Sequence, residues 1–182
     1  MNILAQHLVG ITALLLLPAV QGSLPAGAEE SIAGIVLHDA RIARSLVGEF
    51  RPESIDAGVA TYRFVNRDGS EVMTLVQHPG AEEFSFSQVS VTELTVSTGL
   101  LFFPGNPAQF VTSLGVRIGA TRSEVDAVLG APTKELDDKL IYKLTRETAE
   151  DWLARHRMPE YLAVYRFQNG RLVAFEFGFP YP

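Results

Sequence analysis

The side chains that could do chemistry are few and dispersed. Histidines stand at positions 7, 38, 78 and 156, with no H-E-x-x-H pair and no carboxylate close enough in sequence to complete a metal-ligand pattern. The chain has no cysteine, which excludes disulfides, thiolate zinc sites and thiol nucleophiles. No serine sits in a G-x-S-x-G elbow, and no P-loop or G-x-G-x-x-G run is present to cradle a phosphate. Glu82-Glu83 and Asp137-Asp138 are acidic pairs in predicted loops, where neighbouring carboxylates seldom converge on one substrate. Arg155-His156-Arg157 falls at a predicted helix end, where positive charge complements the dipole. These residues predict no catalytic group, no metal and no cofactor. They also predict that His38, His78 and His156 are separate surface or turn histidines.

A contact surface is the remaining kind of site, and the last hairpin offers one. Residues 161–168 and 171–179 alternate as strands around Asn169-Gly170, a type I′ turn signature. A two-residue turn predicts that Phe167 pairs with Leu172, Tyr165 with Ala174, Ala163 with Glu176 and Tyr161 with Gly178. Leu162, Val164, Arg166, Val173, Phe175 and Phe177 then share the opposite, core-like face. Tyr161, Tyr165, Phe167 and Glu176 lie over small residues on a half-wet face of the kind that suits protein contacts. The same tyrosines could instead cover the solvent side of a sheet or lie beneath another part of the fold.

The elements that must position this hairpin are organised around residues 113–132. Leu114–Ile118 reads as a short strand. Thr121 is an N-cap, Glu124 closes a capping box, and Val125, Val128 and Leu129 form an apolar stripe. Gly130 and Pro132 end the helix. A degraded copy lies upstream: Gly34–Leu37, cap Asp39, stripe Ile42, Leu46 and Val47, and stop Gly48, which falls on Gly130 at a shift of 82 positions. Ala60–Asn66 also echoes Ala163–Asn169, at a shift of 103. The pattern predicts two α+β repeats, residues 29–96 and 113–182, joined by a connector at 97–112, with an insertion in the second repeat near 145–160. Hairpin strands are expected at 57–66 and 70–77, a long strand at 84–96, a strand at 140–144 and a helix at 147–156 with Trp152 and Leu153 inward. The connector's Leu100–Phe103 run is apolar enough to pack between the repeats.

Residues 1–28 read as a secretory signal, with an apolar region at Leu8–Leu17 and an A-x-A site at Ala26–Ala28 that makes Glu29 the first mature residue. The apolar run is too short to span a bilayer and Pro18 interrupts it. Val20–Ser23 resembles a lipobox with serine where the lipidated cysteine would stand. The 182 residues suffice for one ordinary domain or two small ones sharing a core. Net charge is −6 with no basic cluster, which argues against nucleic acid and against an anionic membrane surface.

The run Gly119-Ala120-Thr121, Val125, Leu129-Gly130 and Pro132 resembles the helix-turn motif of the bacterial SmpA/OmlA (BamE-like) outer-membrane assembly lipoproteins. The tandem arrangement resembles the β-lactamase inhibitor protein, although that family's disulfides have no counterpart here. The resemblance implies short helices packed on an antiparallel sheet in each repeat, over most of residues 32–179. Together the readings predict an exported α+β, non-enzymatic, monomeric protein, periplasmic or secreted, that binds a protein partner through a sheet surface. The alternative is a periplasmic small-ligand binder or hydrolase whose site carries no recognisable motif.

Overall fold

The computed structural model describes residues 24–94 and 99–180. The expected apolar leader region at Leu8–Leu17 and the lipobox-like run lie outside the described residues, as do Thr95 and Val96 at the end of the expected long strand. In chain order the elements are β1 (Ser31–Ile32), β2 (Ile35–Val36), α1 (Ala40–Val47), β3 (Ser54–Asp56), β4 (Val59–Val65), β5 (Glu71–Gln77), β6 (Gln88–Glu93), β7 (Leu101–Phe102), α2 (Arg122–Leu129), β8 (Lys134–Leu136), β9 (Lys139–Thr145), α3 (Arg146–His156), β10 (Glu160–Gln168) and β11 (Arg171–Gly178). The class is α+β, as the patterning predicts.

β1 and β2 pair with each other; the other strands form one sheet. Its order is β3-β4-β5-β6-β11-β10-β9-β8, with β7 joining β4 in parallel. All other pairings are antiparallel, and each half of the path is a meander. Within the sheet, among the described residues, the two meanders are joined by β6 pairing with β11, from Ala174 opposite Thr92 to Gly178 opposite Gln88. The order of elements is helix then four sheet strands in both halves, with α3 inserted between β9 and β10.

The helices form where their caps predict. Asp39 accepts from the Ile42 amide at 2.9 Å, and Thr121 with Glu124 closes a capping box around the first turn of α2. Gly130 ends α2 at φ +79°, which glycine adopts at little steric cost. Gly48 differs: it remains right-handed at φ −65°, so α1 stops without a left-handed residue. Val125 and Leu129 are buried, but Val128 is 43% exposed, because an eight-residue helix lying on a sheet buries a narrow stripe. In α1 the buried residues are Ala40, Ala43 and Val47, while Ile42 and Leu46 are half-buried at its flank. Ala43, Val47, Val125 and Leu129, with Trp152 and Leu153 of α3, join the inward side chains of the sheet in one apolar cluster.

Other expectations require correction. Leu114–Ile118 forms no strand; it is a turn, stitched by the Thr112 amide donating to Val116 O. The strand expected from residue 84 begins only at Gln88. Phe84 has φ +67° and belongs to the loop that drops Phe84 and Phe86 onto Tyr62. The connector packs Phe103 against Phe64 and Phe110, but Leu101 and Phe102 stay 51% and 58% exposed at the sheet edge. The echo of Ala60–Asn66 in Ala163–Asn169 matches β4 to β10, which occupy different places in their meanders. The positional counterpart of β4 is β9. Tyr62 and Tyr142 are the corresponding buried residues, and the β3–β4 and β8–β9 pairs have the same register 80 positions apart.

The strap from Leu24 to Ser31 crosses this core. Ala28 is fully buried, its amide donates to Pro25 O at 3.0 Å, and Gly27 lies so close to the Tyr142 ring that a side chain there would collide with it. The expected cut after Ala28 falls inside this packed strap.

Candidate functional site

The register of the last hairpin decides which face of the sheet is free. Asn169 (φ +52°) and Gly170 (φ +75°) form the expected turn, and Phe167 pairs with Leu172 as expected. The next pair is Arg166 with Ala174, which leaves Val173 without a partner. This one-residue bulge inverts every later assignment: Tyr165 pairs with Phe175, Val164 with Glu176 and Ala163 with Phe177. Tyr161, Tyr165 and Phe167 therefore share the inward face with Phe175 and Phe177. Tyr161 and Tyr165 are fully buried and Phe167 is 8% exposed. Of the four expected contact residues only Glu176 is at the surface, so the tyrosine-lined contact face expected from sequence is part of the core.

Tyr165 packs edge-on against Tyr142 and stacks with Phe175. Among the described residues its hydroxyl has no hydrogen-bond partner. Tyr142 donates to Gly130 O at 3.1 Å and to Asp126 Oδ1 at 3.3 Å, and so clamps α2 to β9.

The opposite, helix-free face is the candidate site. One row crosses it through Arg63, Thr74, Ser90, Glu176, Val164 and Ile141, each directly opposite the next across six strands. A second row runs through Thr61, Val76, Gln88, Gly178 and Leu162. Ser90 and Gly178 are the small residues near the middle, with Glu176 and Gln88 beside them. A dimple of about 150 Å³ lies there, lined by Val76, Gln88, Ser90, Leu162 and Glu176. Charged pairs rim it: Arg166 with Glu176 at 3.2 Å, Lys143 with Glu160 at 2.7 Å, and Arg63 with Glu53 at 3.3 Å. All are substantially exposed, so they contribute little to stability and can be exchanged for a partner's charges.

Two polar clusters lie on the other side of the sheet. Wholly buried Glu29 accepts from the Thr112 hydroxyl, from Ser113 Oγ at 3.1 Å and from the Leu114 amide at 3.4 Å. Burial pushes its carboxyl up to about 7 against those hydrogen bonds. The arrangement joins strap to connector and leaves the carboxylate occupied, which suits a structural tie better than a general base.

The second cluster gathers the histidines that the spacing predicts to be separate. His38 and His156 rings lie 5.9 Å apart, and each packs on Phe179, at 4.9 and 4.6 Å. His78 bonds the Phe179 backbone. Glu30 accepts from Trp152 Nε1 at 2.6 Å and lies 3.5 Å from His156 Nε2. Among the described residues no three His, Asp or Glu side chains are placed to hold a metal ion. No sequence spacing announces this cluster, because its members come from four separate loops and helix ends.

The acidic pairs lie in exposed loops. Glu82 lies 3.8 Å from Arg44 Nη2. Backbone oxygens of Leu136 and Asp137 accept from Arg122, and that of Asp138 accepts from the Phe167 amide. Among the described residues no helix is long and apolar enough to cross a membrane.

The fold and face thus define an α+β protein with helices on one side of a two-meander sheet and an open sheet surface on the other. Compared with family models, curated proteins and solved structures, the chain finds no match.

Proposed function

We propose that this chain is an exported, non-enzymatic protein-binding module, built from two related α+β units, that docks an envelope or secreted protein on the free face of its sheet. The observation that carries the reading is the helix-free face of the sheet with a shallow dimple near its centre. The six long strands β4, β5, β6, β11, β10 and β9, about 4.8 Å apart and about seven residues long at about 3.3 Å each, offer roughly 700 Å², close to the ~800 Å² that each partner contributes to a standard interface. The dimple is sized for a single side chain, and the charged rim supplies orientation.

The two-unit reading draws on the common element order of the halves and on the matching registers of β3–β4 and β8–β9. The resemblance to the β-lactamase inhibitor and BamE-like families points the same way. It allows either an enzyme to be inhibited or an envelope component to be held.

The test is retention of envelope or secreted proteins on the immobilised chain, run beside Ser90→Arg and Leu162→Asp, which alter only the free face. A stoichiometric partner held by the parent and lost with both variants supports the proposal. Retention that survives both variants removes this face as the docking surface. Saturable binding of a small molecule without protein retention would favour the small-ligand alternative.

A further inference from the structure

We propose that His38, His78 and His156, gathered on Phe179, form an acid-sensitive clasp that holds α3 to the first half of the chain at neutral pH and loosens it in mild acid. The inference concerns the helix side of the sheet and does not depend on the binding role of the free face.

The clasp joins elements distant in sequence. His38 lies between β2 and α1, His78 follows β5, His156 is the last residue of α3, and Phe179 follows β11. His38 is fixed from both sides: its amide donates to Phe86 O at 2.9 Å, and its ring bonds the His156 backbone. Its left-handed conformation, φ +60°, turns the ring toward α3. Phe179 is fully buried beneath the imidazoles and also packs on Trp152 and Tyr161.

Few negative charges face the cluster. Glu30 from the strap is the carboxylate in contact with it, and it is already engaged by His156 and Trp152. Arg155 on α3 acts on that same carboxylate, and Asp39, Arg41, Arg44 and Glu82 line the open groove beside His38. Uncharged imidazoles pack on a phenyl ring and on each other. Imidazolium groups at His38 and His156, 5.9 Å apart, repel one another, the charge of His78 also acts on His38, and hydration of the charged rings is lost.

Burial pushes His38 below the usual histidine range, and the charge of His156 pushes it further, against the hydrogen bond to the His156 backbone. Burial also lowers His78. A histidine depressed in the folded state binds fewer protons there than in the unfolded state. Its stabilising contribution is therefore full above the free-histidine pKa of 6.5 and is lost as pH falls from there through the folded value.

The experiment is denaturant unfolding of the full chain at intervals from pH 7.5 to pH 5, for the parent and for the double variant His38→Asn with His78→Gln. Asparagine is chosen at position 38 because it tolerates a positive φ. Trp152, the only tryptophan, packs on His156 at 4.9 Å and reports on the clasp by its fluorescence. Relative to the double variant, the parent's unfolding constant should rise as pH falls below 6.5, by up to about tenfold per pH unit for each depressed histidine, because Glu29 titrates alike in both. Equal slopes in parent and variant overturn the proposal. If the variant does not fold, ring-proton titration of the parent decides: midpoints for His38 and His78 both below free histidine support the clasp, and either one at or above it overturns it.

Discussion

The backbone amide of Glu29 donates to the phenolic oxygen of Tyr161 at 2.9 Å, tying the amino-terminal strap to β10 across 132 positions of sequence. The Glu29 side chain is buried at the same point, and its carboxyl is pushed from 4.5 up to about 7. A carboxyl raised in the folded state stabilises the fold fully below its unfolded pKa, and that contribution is lost as pH rises through the folded value. The window here runs from pH 4.5 to about 7. Glu29→Gln keeps the shape and removes the titration. Relative to the parent, its stability should rise between pH 5 and pH 8, with a gain at pH 8 of up to about 3 kcal/mol. Urea unfolding at the two pH values checks this. An unchanged slope would mean that Glu29 is solvated in the fold.

The two central tyrosines of β10 predict opposite responses to losing a hydroxyl. Tyr161 accepts the Glu29 amide, whereas among the described residues Tyr165 has no partner for its buried oxygen. Tyr161→Phe leaves a buried amide unsatisfied and should cost about 1–2 kcal/mol. Tyr165→Phe removes an unpaired polar atom and should be neutral or stabilising by about 1 kcal/mol. Matched denaturation curves separate them, and equal losses would show that the Tyr165 hydroxyl has a partner after all.

Gly178 lies at the seam of the two meanders. A Cβ there would strike the Ser87 carbonyl and the Gln88 backbone, and its φ is +142°. Gly178→Ala should therefore force β6 and β11 apart and cost at least about 2 kcal/mol. Gly170→Ala is the control: its φ is +75°, but nothing lies within 4 Å of the added carbon, so a cost near 1 kcal/mol is expected. Similar losses at both sites would mean that backbone conformation, not the seam contact, sets the penalty.

The helices and most strands were legible because their signals are local. Thr121 with Glu124 closes the box that its spacing predicts, and Asn169-Gly170 makes its turn. The contact face was not legible, for a reason that can be placed at one residue. Val173 bulges out of β11, nothing in Arg171–Phe175 distinguishes it from a regular alternating strand, and a single skipped partner moves Tyr161, Tyr165 and Phe167 from one side of the sheet to the other. The histidine cluster and the Glu29 tie were invisible for a different reason. Their members meet only after the strap, the connector and α3 are packed, so no spacing between them carries information. The edge strands β3 and β8 escaped notice because three fully exposed residues have no buried face to impose alternation.

The single β6–β11 junction also bears on how the chain reaches this state. Within each meander, neighbouring strands are joined by short links or by one helix, so those ladders close at small entropic cost. The junction must bring Gln88–Glu93 to Arg171–Gly178 and closes the longest loop in the sheet. It is therefore expected to form last, and until it does β6 is an unprotected sheet border open to pairing with another molecule. The side chains that β6 turns away from the core, Gln88, Ser90 and Thr92, with Glu93 at its end, are polar or charged. They keep that waiting border hydrated and poorly suited to self-assembly.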